Sequence, residues 1–306
     1  MDLIEAKNLY RYYGKYCAVD NVSFSLKKGQ VLGFLGPNGA GKTTTLQMIC
    51  GVLAPSSGQI IVNGFDLLDH PQQAKSKLGY LPDTPPLYRD LTVDEFLHYC
   101  ARLHRLKRPG RAAAIERAKE RCGLEAVGNR LIANLSKGFQ QRIGIAQAIL
   151  HNPEVVILDE PTVGLDPIQI RDIRSLIREL GHNHGVIFST HILSEVQETC
   201  TDVQIIQKGR IVLHETIGEL NRLMNTNVLQ ITTQAPVDFN ALKAIPGVHK
   251  VEGQSGNVTR IHCDTAQNLT EHIADTVVRS GWGLIEITPL KKSIEDIFVA
   301  LTQNKE

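Results

Sequence analysis

An α/β protein with a parallel sheet is the architecture this sequence predicts, and three observations carry the prediction. Unbroken apolar runs occur at 31–35 (VLGFL), 155–158 (VVIL) and 185–190 (GVIFST), as expected for strands covered on both faces. The first leads straight into KTTTLQMICGVL, which has helical character. The second leads through Asp166 and Pro167 into a helix with Ile173, Leu176, Ile177 and Leu180 on one face. From about Asn225 the pattern changes, and short strands and helices follow in the order β-α-β-β-α-β, a small ferredoxin-like arrangement. At 306 residues the chain is long for one compact domain. A large domain over 1–224 and a small α+β domain over 225–306 are therefore expected.

Composition narrows the function classes. Apolar residues make up 42% and charged residues 21%, enough to bury a core without a long biased tract. The net charge of +1 gives no reason to expect nucleic acid as a direct partner. Six cysteines (17, 50, 100, 122, 200 and 263) form no CxxC pair, the usage of reduced core thiols and not of a disulfide frame or zinc site. The opening MDLIEAKNLY is unlike a signal peptide, and no stretch nears the roughly 18 apolar residues of a membrane helix. The chain is expected not to span a membrane.

The chemistry sits at the ends of the apolar runs. After VLGFL come Gly36, Pro37, Asn38, Gly39, Ala40, Gly41, Lys42, Thr43 and Thr44, which fit the phosphate-loop pattern G-x-x-x-x-G-K-[ST] at a strand-to-helix turn. Glycines let successive backbone N–H groups point inward, and the helix start adds partial positive charge. Lys42 can then reach β and γ oxygens while the Thr43 hydroxyl ligates Mg²⁺. VVIL ends in Asp159 and Glu160. One carboxylate there suits Mg²⁺ and its neighbour can take a proton from attacking water. GVIFST ends at His191, placed at the C-terminal edge of a parallel strand, where open α/β sheets bind ligands. It is a candidate γ-phosphate sensor.

Together with LSKGFQQR at 135–142, these stretches resemble, in order, the motifs of the ATP-binding subunit of ABC transporters: Walker A (GPNGAGKT), signature (LSKGF), Walker B (VVILDE), D-loop (GLDP) and switch histidine (STH). The resemblance covers roughly 1–220. It implies a P-loop NTPase core of RecA-like type with an N-terminal antiparallel β subdomain and a helical subdomain at about 84–150. The implied chemistry is ATP hydrolysis, with Asp166 of the D-loop among the nucleotide contacts and Ser136 and Gly138 gripping the γ-phosphate of ATP held by another subunit. Because the chain has one Walker A and one signature, the resemblance implies a head-to-tail homodimer or a pair with a related ATPase. It further implies an integral membrane permease that carries the cargo, with the ATPase in the cytoplasm on the inner face of the membrane; the alternative is a soluble ABC ATPase that acts as a switch on a nucleic-acid or ribosomal partner. The SIEDIFVALT ending and the LSKG signature resemble the ABC-2 exporter branch. Two positions depart from the family pattern: Lys137 and Phe139 alter the usual LSGGQ, and Asp83 stands where the Q-loop has Gln. Asp83 is expected either to serve Mg²⁺ or water, or to be a solvated turn acid ahead of Pro85 and Pro86.

Adenine needs a flat apolar partner, and LYRYYGKY supplies four tyrosines. The family's A-loop implies Tyr13 as the stacking residue, with Tyr10, Tyr12 and Tyr16 as strand-surface packing. Between Asp83 and the signature, two helices parted by Pro109-Gly110 are expected. Their basic run (Arg102, Arg105, Lys107, Arg108, Arg111) is either a solvated face or a contact for acidic headgroups or a membrane partner. His182 and His184 fall in a turn without clustered acids or thiols, poor company for a metal. Trp282 is expected in the core, and a last helix over SIEDIFVALTQ.

Overall fold

The computed structural model describes residues 2–264 and 266–292. The chain divides into two compact units, Met1–Ile217 and Gly218–Glu306. The first begins with β1 (Asp2–Tyr13), β2 (Tyr16–Lys27), β3 (Val31–Leu35), α1 (Lys42–Ile49), β4 (Ser57–Val62), β5 (Phe65–Asp66), α2 (Pro71–Lys75) and β6 (Leu78–Leu81). It continues with α3 (Val93–Leu103), α4 (Arg108–Cys122), α5 (Lys137–Ile149), β7 (Val155–Leu158), α6 (Pro167–Gly181), β8 (Gly185–Thr190), α7 (Leu193–Thr199), β9 (Asp202–Gln207) and β10 (Arg210–Thr216).

Two sheets organise this unit. The antiparallel sheet has the order β2-β1-β4-β5, and the second has the order β10-β9-β3-β8-β7-β6. In the second sheet β9, β3, β8, β7 and β6 run parallel and only β10 is antiparallel. All residues of β3, β7 and β8 are buried, which explains their unbroken apolar sequences. Side chains still alternate between faces. Val156, Leu158, Val186 and Phe188 pack with Phe96, Leu97, Ile115 and Ile143 of the helices. Val155, Ile157, Ile187, Leu32 and Phe34 pack on the other side with Ile4, Val22, Leu46 and Ile60.

Helix starts follow side-chain chemistry. Thr92 and Glu95 form a reciprocal capping box at the start of α3. Ser136 caps α5 by accepting the Phe139 N–H at 3.4 Å, and Asp166 caps α6 by accepting those of Ile168 and Gln169. One expectation is corrected. Pro109 and Gly110 do not part α3 from α4 but lie in the first turn of α4, where proline's missing N–H costs no hydrogen bond. The break falls before them, near Arg105, whose φ is 55°.

In the second unit, α8 (Ile217–Met224), which begins at the boundary, is followed by β11 (Asn225–Thr233), α9 (Phe239–Lys243), β12 (Val248–Gly253), β13 (Val258–Cys263), α10 (Ala266–Arg279) and β14 (Leu284–Lys291). Its antiparallel sheet has the order β12-β13-β11-β14. The core holds Leu229, Ile231, Leu242, Ile261, Ile273 and Val277, with Trp282 half-buried against it. The helix expected over SIEDIFVALTQ lies outside the described residues. All six cysteines are free, and burial pushes the thiols of Cys100 and Cys122 up to about 12. Among the described residues no helix is long and apolar enough to cross a membrane.

A pair of histidines makes the first unit sensitive to acid. The rings of His104 and His151 stack at 3.9 Å, and His151 Nε2 lies 3.0 Å from the Leu78 carbonyl. Burial, then the neighbouring His104, lowers the pKa of His151 from 6.5 to about 4. The unfolded chain therefore takes up this proton below 6.5 while the folded chain resists it, so stability is present above 6.5 and lost as pH falls towards 4. His151→Phe lacks that proton. Urea unfolding should show wild type losing about 2 kcal/mol relative to His151→Phe between pH 7.5 and pH 5.

Candidate functional site

The turn after β3 is shaped by its backbone. Gly41 has φ +104°, and a Cβ there would stand 2.7 Å from the Ala18 carbonyl oxygen; only glycine fits both conditions. The loop Gly36–Gly41 then delivers the first turn of α1 to the C-terminal end of the parallel sheet. Lys42 is 5% exposed. Its Nζ donates to the carbonyl oxygens of Gly36 at 2.8 Å and Pro37 at 3.3 Å, and pairs with Glu160 Oε1 at 3.2 Å.

At the end of β7, Asp159 is fully buried. Its Oδ1 accepts from Ser189 Oγ at 2.5 Å and from Thr43 Oγ1 at 3.2 Å, while its Oδ2 has no hydrogen-bond partner among the described residues. Burial raises its pKa against the lowering effect of those two hydroxyls, and the charges of Asp83 and Glu160 raise it further. Glu160 adopts φ 47°, a left-handed backbone uncommon for a side-chain-bearing residue. Its N–H is held by Ser189 Oγ at 2.9 Å. Its two carboxylate oxygens are divided between Lys42 and His191, whose Nδ1 lies 3.2 Å from Oε2. That last contact is a hydrogen bond when the proton is on Nδ1.

These groups border a cavity of about 530 Å³ lined by Tyr13, Tyr16, Ala18, residues 38–44, Asp83, Glu160, Val163 and His191. It joins aromatic surface at one end to backbone N–H groups, a lysine and a carboxylate at the other, a plan suited to a nucleotide. Asp83 is exposed at its edge. Gly36, Pro37 and Asp159 stand behind the lining, bonded to Lys42 and Thr43. Ser136, Gly138 and Asp166 do not line the cavity. Gly138 packs against the Gln169 side chain, where a Cβ would come within 2.5 Å. Lys137 reaches towards Gly164 of the same chain, its Nζ 2.2 Å from where a Cβ would stand.

The residues present fit Mg²⁺. A buried carboxylate oxygen without a partner, next to the Thr43 hydroxyl, is what a cation would satisfy. Among the described residues no group of three or more His, Cys, Asp and Glu side chains could hold a metal alone, so nucleotide oxygens would have to complete the shell. Sequence reasoning missed Ser189, which bonds both Asp159 and Glu160, and it misplaced Tyr16. The two-residue turn Gly14-Lys15 pairs Tyr16 directly with Tyr13 across the β1–β2 hairpin, so both rings reach the cavity. Tyr12 stacks on Tyr10 instead, at 6.4 Å. The spacing Tyr-Gly-Lys-Tyr carried that signal.

The buried Asp159 charge should register in stability. Its pKa is raised, so the stability its protonated form gives is present at acidic pH and lost as pH rises above the ordinary aspartate range. Asp159→Asn keeps an oxygen to accept from Ser189 and Thr43. In nucleotide-free protein without divalent ions it should raise the melting temperature by about 2–4 °C at pH 7.5, with a smaller gain as pH is lowered. An equal gain at every pH would refute this account.

Comparison with known proteins gives the site its context. The family described as ABC transporter matches residues 19–163. The bacitracin transport ATP-binding protein BcrA of Bacillus licheniformis is 33% identical over 305 residues, 98% of this chain and 97% of that one. The ABC transporter ATP-binding protein NatA of Bacillus subtilis is 40% identical over 205 residues, 66% of this chain and 83% of that one. A solved structure of the ATP-binding subunit of an ABC transporter superposes with a TM-score of 0.66 at 32% identity, covering 72% of this chain and 92% of that chain. With a P-loop fold, a nucleotide-shaped cavity and relatives matched along nearly the whole length, this chain belongs to the ATP-binding subunits of ABC transporters and is an ATPase.

Proposed function

We propose that this chain powers export through a separate membrane subunit, closing on ATP as a head-to-tail homodimer and reopening after hydrolysis. The observation that best supports the reading is the division of labour in one chain. Lys42, Thr43, Glu160, His191 and Tyr13 gather at one cavity, while Ser136 at the start of α5 faces none of it. A helix start with a serine hydroxyl and unbonded N–H groups suits a γ-phosphate, and here that phosphate would belong to a second copy. Likeness to a bacitracin transport protein along the whole chain favours export. The chain would then work in the cytoplasm, docked on the inner face of the cell membrane, and make no direct contact with nucleic acid.

In this reading Tyr13, supported from one side by the Arg11 guanidinium at 4.9 Å, stacks adenine, with Tyr16 beside it. The N–H groups of residues 38–44 and Lys42 hold the phosphates, and phosphate competes with Glu160 for the Lys42 cation. Thr43 and Asp159, with Asp83 at the cavity edge, would hold Mg²⁺, which when bound would neutralise charge on the phosphate oxygens. Glu160 takes a proton from the attacking water, and His191 orients Glu160 and senses the γ-phosphate. Ser136 and Gly138, with Asp166 nearby in the D-loop, act across the dimer. Positioning and charge stabilisation provide most of the rate.

Four outcomes test this. Glu160→Gln should bind ATP within a few-fold of wild type and hydrolyse it about a hundredfold or more slowly. With Mg-ATP it should double in mass by light scattering, and a protein that stays monomeric would sink the dimer. Tyr13→Ala should raise the ATP dissociation constant by about 5- to 100-fold, the range of one lost base–aromatic stack; an unchanged constant would move adenine to Tyr16. Tagged Glu160→Gln chain, recovered with Mg-ATP from detergent-solubilised native membranes, should bring down an integral membrane protein. Recovery of soluble partners alone would refute the export reading.

A further inference from the structure

We propose that Glu195 is a positioning residue for hydrolysis, clamping the loop after Glu160 to the strand end that carries His191. Glu195 lies in α7 and is 1% exposed. Its Oε2 accepts two hydroxyl hydrogen bonds, from Thr190 Oγ1 at 2.6 Å and from Thr162 Oγ1 at 3.0 Å. Both threonines are buried. Thr162 stands two residues after Glu160, and Thr190 immediately before His191. The Thr190 hydroxyl also accepts the Ile192 N–H at 3.1 Å, which fixes the chain on the far side of His191. Glu195 Oε1 faces Arg174 Nη2 of α6 at 3.6 Å, and Arg174 in turn pairs with Glu198 at 2.7 Å.

Burying a carboxylate is unfavourable unless its oxygens are engaged, and packing alone would be served by an apolar side chain. What the carboxylate provides here is one oxygen shared by two loops. It holds together the backbones on either side of the 3.2 Å contact between Glu160 and His191, and it does so from behind, since Glu195 does not line the cavity. Glu160 needs such support. Its left-handed φ of 47° is a conformation that persists only where the surroundings over-determine it. Ser189 accepts the N–H of Glu160, and Glu195 fixes Thr162 two residues on. Supporting groups of this kind control activity through geometry, because small displacements of a catalytic group cost large factors in rate.

The inference rests on the assignment of Glu160 and His191 to hydrolysis, and its test separates the two. In the full-length chain, Glu195→Ala should lower kcat by about 10- to 100-fold while the dissociation constant for a fluorescent ATP analogue with Mg²⁺ stays within about threefold. Glu195→Gln, whose amide oxygen can accept from both threonines, should recover most of the rate. In the Glu160→Gln background, single-turnover hydrolysis should fall by no more than about twofold on adding Glu195→Ala, since the group being positioned has gone. Equal losses of kcat and ATP affinity, or the same factor lost with and without Glu160, would overturn the proposal and leave Glu195 a packing residue. Should Glu195→Ala fail to fold, Thr190→Val removes one hydroxyl at constant shape and should lower kcat by about threefold or more at unchanged affinity. If Glu160→Gln itself hydrolyses ATP at the wild-type rate, the assignment of Glu160 fails, whatever Glu195→Ala does.

Discussion

A carboxylate buried at the end of an entirely apolar strand has to be answered by its neighbours, and much of this site is built around Asp159. Water is excluded from it, so two hydroxyls from different elements, Thr43 of α1 and Ser189 of β8, converge on one of its oxygens. That convergence locks the start of the phosphate loop helix to the central strands. The other oxygen has no hydrogen-bond partner among the described residues, which leaves it open to a cation. The Ser189 hydroxyl also accepts the Glu160 N–H, so the same group that partly satisfies Asp159 holds its neighbour in a left-handed conformation.

Polar contacts continue outward from there. Lys42, nearly buried, is shared among two carbonyl oxygens and Glu160, and Glu160 is shared between Lys42 and His191. Lys42 and Glu160 are each held by more than one neighbour. Preorganisation is what electrostatic catalysis of phosphoryl transfer requires, since its donors and acceptors must already point where charge will develop. Behind the cavity, buried Glu195 likewise accepts hydroxyls from two segments, Thr162 after β7 and Thr190 at the end of β8.

The site's parts differ in how well a linear sequence displays them. The phosphate loop is legible because its function is carried by consecutive backbone N–H groups, so spacing alone encodes it. Asp159, Glu160 and His191 are legible because an apolar run that ends in charge is unusual. Tyr16 was hidden by a question of register: only a two-residue turn after Tyr13 brings it to the same face. Ser189 and Glu195 were hidden for a different reason. A serine in an apolar strand and a glutamate in a short helix look ordinary until tertiary packing removes their water. Pro109 stands in the first turn of α4, where proline is a start signal and not a break; the residue that breaks the chain is Arg105 with its positive φ.

What the sequence by itself determined was local: the buried strands from their apolar runs, the helix start at Asp166 and Pro167, the glycine-rich turn after the first buried strand from its spacing, and the β-α-β-β-α-β order after Asn225 from alternating patterns. Each of these rests on periodicity or on hydrogen bonds within a few residues. Only the tertiary structure decided which polar groups share a partner, as when Thr162, Thr190 and Arg174, from three separate segments, meet at Glu195. It also decided which aromatic rings face the cavity and which carboxylate oxygen is left over for a cation. Those outcomes depend on burial and strand order, which bring together residues more than a hundred positions apart, such as Thr43 and Asp159.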